Sequence, residues 1–498
     1  MDYSYLLIVF ENPLLLLLLA LGTLLGIYVG AIPGLSGTMA VSLLVSLTFG
    51  WDTYASISLM TGVFVGAVFG GSRSAILLNI PGAPAAVATG LDGYPLAQKG
   101  LAGKAMALAT VESVLGTVFG ALVMLFLTPA VSKLALSFKS IDYLMLAFMG
   151  LLTVGSLGCR SLSKGIFAAA FGVFLGTIGI DSISSVKRFT FGIAYLNSGV
   201  NFVVALIGLF GVSEALLQLN DLNAKGIEQQ VKRVLPSGRE ILTHLPLSLR
   251  SAIIGVLVGA LPGAGGDIAA LLSYDAARRT VKHNKCPFGE GAVEGVIAPE
   301  TANNAAIGGA FIPMLTLGIP GDSVTAVFIS VLQLNGMNPG PGFLGAAEDV
   351  FMLIVAGLLV SAIFMLIFGM TGIRLFARLT RVPRAVMVPL ILLLSTIGAY
   401  AINSSVYDIF WMFLFGIIGM LLKRHEYPVG PVVLGIILSS LLENNLRRGI
   451  LLNGSLGGLC LGIFKSPLSI ALFVITLTLA ATQSRSFRSK RKKQPPTD

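Results

Sequence analysis

Two short runs of glycine, proline and hydroxyl residues carry the binding chemistry legible in this chain. The first is Gly30-Ala31-Ile32-Pro33-Gly34-Leu35-Ser36-Gly37-Thr38 and the second is Gly259-Ala260-Leu261-Pro262-Gly263-Ala264-Gly265-Gly266-Asp267. Proline and glycine at this density interrupt a helix and free backbone groups from their intrahelical partners. Freed N–H groups at a half-helix N-terminus attract an anion, and exposed carbonyl ends suit a cation such as sodium. A second pair of breaks follows in each half, at Asn79-Ile80-Pro81-Gly82 and at Gly318-Ile319-Pro320-Gly321-Asp322. The two landmarks recur 229 and 239 residues apart, from 262 − 33 and 320 − 81. Interrupted hydrophobic segments at corresponding places in two halves point to a transporter's binding site.

The elements that position these breaks lie in a membrane. Hydrophobic residues make up 55% of the 498, charged residues 11%, and mean hydropathy is +0.89; an average soluble domain is about 25% charged. Apolar runs fall near 13 to 32, 53 to 71, 104 to 127, 141 to 158, 165 to 180, 191 to 217, 247 to 261, 350 to 371, 385 to 402, 406 to 422, 428 to 442 and 459 to 480. Continuous runs favour helices over the alternating pattern of an outer-membrane barrel. The fold expected is an all-α polytopic membrane protein of about 10–12 transmembrane helices with broken or re-entrant segments.

Charge divides the chain. The expected organisation is a first membrane repeat at 1–217, a polar connector at 218–246, a second repeat at 247–480 and a basic tail at 481–498. The net charge of +10 resides largely in the tail, from Arg485 to Lys493, which reads as a cytoplasmic anchor and not as a nucleic-acid site. Counting back places the arginines at 374, 378, 381 and 384, then Lys423 with Arg424, and the connector inside, with Lys133 and Lys139 outside. That makes the repeats inverted, with the chain's start outside if one early run is re-entrant. The count leaves Lys187, Arg188, Arg447 and Arg448 outside, against the positive-inside rule. No positive n-region or small-residue cleavage site marks the N-terminus as a leader.

Within the breaks, Pro33, Gly34, Ser36, Gly37, Thr38, Pro262, Gly263, Gly265 and Gly266 offer small side chains, hydroxyls and close backbone approach for substrate. Gly26, Gly30, Gly255 and Gly259 suit close helix packing instead. Arg73 could pair with a substrate carboxylate or form a structural ion pair. Asn79, Asp267, Thr301, Asn303, Asn304 and Asp322 are cation-ligand candidates, though Pro299 to Gly309 also reads as a plain helix start. An ionisable group at mid-membrane costs about 2.5 to 3.5 kcal/mol, which makes Glu300 and the isolated Glu112 informative. Cys159, Cys286 and Cys460 form no disulfide framework or zinc pattern, and His244, His283 and His425 read as loop residues.

On the two Pro-Gly breaks, on Pro299-Glu300-Thr301-Ala302-Asn303-Asn304-Ala305 and on Gly318-Ile319-Pro320-Gly321-Asp322, the chain resembles the large membrane subunit of the tripartite tricarboxylate transporters of bacteria, over about 13 to 480. The resemblance implies a secondary transporter in the inner membrane that imports organic di- or tricarboxylates. It also implies a sodium ion or proton as coupling ion, a small membrane subunit and a periplasmic solute-binding protein as partners. Importing a trianion against an inside-negative potential of about 100 mV costs about 7 kcal/mol, which co-transported cations offset. No Walker motif is present, and no cofactor is expected. A passive anion channel would use similar breaks. An intramembrane aspartyl protease would use Tyr274-Asp275, but neither Asp267 nor Asp322 follows the Gly-x-Gly pattern such an enzyme needs.

Overall fold

The computed structural model describes residues 2–32, 35–79, 82–156, 162–181, 185–219, 238–281, 286–372, 384–464, 466–476 and 478. Pro33, Gly34, Pro81, Cys159, His283, residues 220–237 of the connector, the arginines at 374, 378 and 381, and the basic tail lie outside these.

Small residues set how the first half packs. Helices α1 (Pro13–Ala31) and α3 (Thr53–Leu78) approach until a methyl on Gly26 or Gly30 would stand 2.3 Å from the carbonyl oxygens of Val63 and Ala67. The opposite side of α1 presents Leu14, Leu17, Leu21 and Leu25, all exposed, as an apolar stripe suited to lipid. Between them lies the short α2 (Gly37–Leu47), entered through the first break. Beyond the second break, α4 (Ala86–Leu96) runs through a turn where Gly100 takes φ +80° into the long α5 (Ala102–Ala135). Two further helices follow, α6 (Ser140–Ser156) and α7 (Leu162–Gly176). A two-residue ladder pairs β1 (Gly179–Ile180) with β2 (Lys187–Arg188) before α8 (Phe202–Gln218).

Matching contacts recur in the second half. Helices α9 (Gly238–Gly259), α10 (Gly265–Thr280), α11 (Glu294–Leu317) and α12 (Ser323–Leu334) follow in the order of α1 to α4. Methyls on Gly255 and Gly259 would meet the carbonyl oxygens of Ala302 and Ala306 at 2.3 and 2.5 Å. Asn79 and Gly318 close α3 and α11 in the same left-handed conformation, with φ of 56° and 71°. Gly82 and Gly321 then seat against the carbonyl oxygens of Gly30 and Gly259, where an added methyl would come to 2.1 and 2.5 Å. Only glycine permits that approach.

The halves join along α5 and α11. Methyls on Gly116 and Gly120 would fall 2.3 and 2.5 Å from the Thr301 and Ala305 carbonyl oxygens, so α11 is walled in and nearly every residue of it is buried. The chain then continues through α13 (Glu348–Thr371), α14 (Arg384–Asn403), α15 (Val406–Arg424), α16 (Val429–Asn453) and α17 (Leu456–Ile463). Two of the four positive charges that broke the orientation rule, Arg188 and Arg447, meet here. Arg188 pairs with Glu443 at 2.5 Å, and Arg447 with Asp181 and Glu443, each at 2.7 Å. Donating to the Glu443 carboxylate holds the Arg188 guanidinium above its ordinary pKa. Two arginines are thus matched by two carboxylates.

Among the described residues, seven helices are long and apolar enough to cross a membrane, or eight if Leu456–Ile463 and Pro467–Thr476, bent by 90°, form one span. The remaining runs are shorter apolar helices, including α12 and α8. The run at 191 to 217 is α-helical only from Phe202; a short 3-10 turn at Ala194–Ser198 precedes it, flanked by Gly192 and Gly199 at positive φ.

Candidate functional site

Both halves meet at one cavity of about 140 Å³. On this measure a water needs roughly 10–15 Å³, so the space exceeds a single solvent site. Ser36, Gly37 and Thr38 line it from the first break, and Gly263, Gly265, Gly266 and Asp267 from its counterpart. Ala83 and Pro84 enter from the second break of the first half, Asp322, Ser323 and Val324 from that of the second, and Asn303 from α11.

The local chemistry turns helix N-termini toward this space. Ser36 caps α2 by accepting the Met39 N–H at 3.1 Å. Asp322 caps α12 in a reciprocal box, with its carboxylate accepting the Thr325 N–H at 2.7 Å while Thr325 Oγ1 accepts the Asp322 N–H at 3.0 Å. Gly265, at φ +59°, opens α10. Residue 85, which caps α4, has no capping side chain of its own, and Asp267 from the other half supplies one by accepting the Ala85 N–H at 3.0 Å. The starts of α2, α4, α10 and α12 therefore all border the cavity. Each contributes positive partial charge.

Two features oppose a purely anionic site. Among the described residues the lining includes Asp267 and Asp322 and no Lys, Arg or His. Both carboxylates line the same cavity, so a cation bound there would find two negative groups. Asn303 is 7% exposed and lines the cavity, yet among the described residues its amide has no hydrogen-bonding partner. A side-chain amide on the cavity wall offers a ligand one acceptor oxygen and two N–H donors. A methyl on Gly266 would stand 2.2 Å from Asn303 Oδ1, so the glycine leaves this amide its room.

Several expected site residues lie elsewhere. Arg73 is fully buried, but its guanidinium donates to Met106 O at 2.7 Å and Thr110 Oγ1 at 2.9 Å and sits 4.0 Å over the Phe69 ring. Thr301 donates to Glu112, and Asn304 Nδ2 to the Glu300 carbonyl, both away from the cavity lining. Asn79 acts as the left-handed cap of α3, and Pro262 packs toward Gly150 of α6. Asp275 pairs with Arg279 at 2.6 Å on an exposed face and does not line the cavity with Asp267.

The residues not anticipated are Phe64, Ala67, Val68, Ala83, Pro84, Ala264, Ile307, Ser323 and Val324. Ala83, Pro84, Ser323 and Val324 continue the second breaks and could have been read as extensions of them. Phe64, Ala67 and Val68 occupy one face of α3, a spacing that ordinary core residues share.

The chain matches the family described as the tripartite tricarboxylate transporter TctA family over residues 16–434. It is 35% identical over 476 residues to an uncharacterized 52.8 kDa protein in the TAR-I ttuC' 3' region of Agrobacterium vitis, covering 95% of this chain and 94% of the relative. A second Agrobacterium vitis protein, from the TAR-II ttuC' 3' region, is 35% identical over 239 residues, 48% of this chain and 97% of that protein. No solved structure matches.

Proposed function

The chain belongs to the tripartite tricarboxylate transporter TctA family, and from that premise we propose that it imports organic di- or tricarboxylates across the bacterial inner membrane by cation symport. The observation that carries this reading is the cavity where four helix N-termini, two aspartates and the unpaired Asn303 amide converge. The N-termini supply N–H groups and positive potential for the carboxylates. Asp267, Asp322 and Asn303 supply oxygens for sodium, or the aspartates take protons, so that anion and cation enter together.

The two repeats are inverted, with the C-terminus in the cytoplasm. Alternating access then amounts to moving one repeat's packed helices against the other's around the cavity. A small membrane subunit completes the complex, and a periplasmic solute-binding protein delivers the substrate. The family's tripartite character supports these partners.

The test is uptake of a panel of radiolabelled carboxylates into proteoliposomes holding the chain with both partners, with sodium and proton gradients imposed separately. Accumulation above the external concentration, lost when the driving gradient collapses, is the expected result. Downhill equilibration insensitive to both gradients would identify a passive channel instead.

A further inference from the structure

Two carboxylates buried behind the cavity are treated differently by their surroundings. Glu300 on α11 accepts from Thr89 Oγ1 at 2.5 Å and Ser113 Oγ at 2.9 Å, and Arg73 supplies positive charge nearby. Glu112 on α5 is also fully buried, but among the described residues only its Oε2 accepts a hydrogen bond, from Thr301 Oγ1 at 2.8 Å. Its Oε1 has no hydrogen-bond partner among the described residues, and no ion pair there includes it.

The Thr301 hydroxyl identifies the protonation state that fits. It stands 2.8 Å from both Glu112 Oε2 and the Ile297 carbonyl oxygen, and one hydroxyl proton serves only one acceptor. With a proton on Glu112 Oε2, the acid donates to Thr301 and Thr301 donates to Ile297. Both bonds are then made and no charge remains. An ionised Glu112 would leave a buried anion with no paired cation, which costs several kcal/mol. A bare neutral carbonyl oxygen is the cheaper remainder.

Polar groups of α9 lie between this acid and the protein's edge. Ser248 on α9 stands beside Glu112, with its hydroxyl donating to the His244 backbone carbonyl at 3.2 Å. The half-buried His244 imidazole stands 3.4 Å from Glu294, and both side chains are partly exposed. In the other direction, Thr301 is two residues from Asn303 at the cavity. The titratable groups facing Glu112 are therefore His244 from α9, and Glu300 from α11 with Glu294 beyond His244. Arg73 of α3 is bonded to α5 itself, and α13 carries no charged residue between 350 and 371.

We propose that Glu112 is a proton-binding site separate from the cavity, which makes a proton a coupling ion of this transporter. The proton leaves Glu112 Oε2 on the side of α9, where Ser248, His244 and Glu294 lie between the acid and solvent, and a proton returning that way restores the neutral acid. Thr301 and Asn303, on one helix, connect its charge state to the occupied cavity. This inference rests on the transport reading above.

The experiment uses the full chain with its partners in proteoliposomes, a substrate found active in the panel, and an internal pH dye. In Glu112→Gln, substrate counterflow persists while uptake driven by a proton gradient, and the proton movement accompanying it, falls about tenfold or more, within the range of ordinary coupling free energies. His244→Gln slows proton movement and shifts its pH profile. Infrared spectra of the unmodified protein show a buried neutral carboxyl band sensitive to deuterium oxide that Glu112→Gln lacks. Unchanged proton movement in Glu112→Gln overturns the proposal, as does an unchanged carboxyl band. If Glu112→Gln does not fold, loss of that band from the unmodified protein only above neutral pH supports the proposal, and its absence at every pH overturns it. Failure of counterflow in the unmodified protein would overturn the transport reading instead.

Discussion

At the scale of residues, the cavity depends on where single methyl groups are missing. Gly266→Ala would put a methyl 2.2 Å from Asn303 Oδ1, so the amide must rotate out of place. Apparent substrate affinity is expected to fall about tenfold, or about 1.4 kcal/mol, with expression unchanged; uptake kinetics across substrate concentrations would detect it. Asn303→Ala should do the same if its amide contacts substrate or ion, and unaltered kinetics in both variants would remove Asn303 from the site. Gly263→Val adds a branched side chain at φ +72° on the cavity wall. It should abolish uptake while the protein still inserts, as fluorescence-detected size exclusion would verify. Gly34, its counterpart, lies outside the described residues. The polar motifs made these positions legible, because glycine, proline and amide residues have few other reasons to cluster in apolar sequence. Arg73 was less legible: its partners, Met106 and Thr110, lie 33 and 37 residues away and only packing brings them to it.

At the scale of elements, the glycine seams decide which helices touch. Gly26→Leu on α1 would force four carbon atoms into a gap where even one comes within 2.3 Å of the Val63 carbonyl oxygen. Overpacking typically costs about 1–3 kcal/mol and more where backbone must move. The midpoint of thermal unfolding in detergent should drop, whereas Leu25→Val on the exposed stripe should leave it nearly unchanged. Equal effects would mean that α1 and α3 are not locked through this seam. Helix identity and the seam were readable from glycine spacing and apolar length. The span count was not, because short helices such as α12 and broken ones such as Leu456–Ile463 with Pro467–Thr476 lie in runs that composition alone cannot divide. Glu112 looked isolated in its run, since Thr301 reaches it from 189 residues away.

At the scale of the whole molecule, the matching contacts of Gly82 with Gly30 and Gly321 with Gly259 argue that two related halves enclose one cavity. Orientation in the membrane supplies what those contacts leave open. If the halves are inverted, Lys133 faces the periplasm and Arg424 the cytoplasm. Arg448, exposed near the Asp181, Arg188, Glu443 and Arg447 network at the other end of α16, then returns to the periplasm. Pairing arginine with carboxylate there lowers the cost of carrying positive charge outward, which the orientation rule would otherwise oppose. In a chain whose Cys159, Cys286 and Cys460 are replaced by serine, Lys133→Cys and Arg448→Cys should react with a membrane-impermeant maleimide added to intact spheroplasts. Arg424→Cys should react only after the membrane is opened. Labelling of Lys133→Cys and Arg424→Cys from the same side would rule out inversion between the halves. The cavity would then be bounded by two repeats of like orientation, related by an axis along the membrane normal and not by one in its plane.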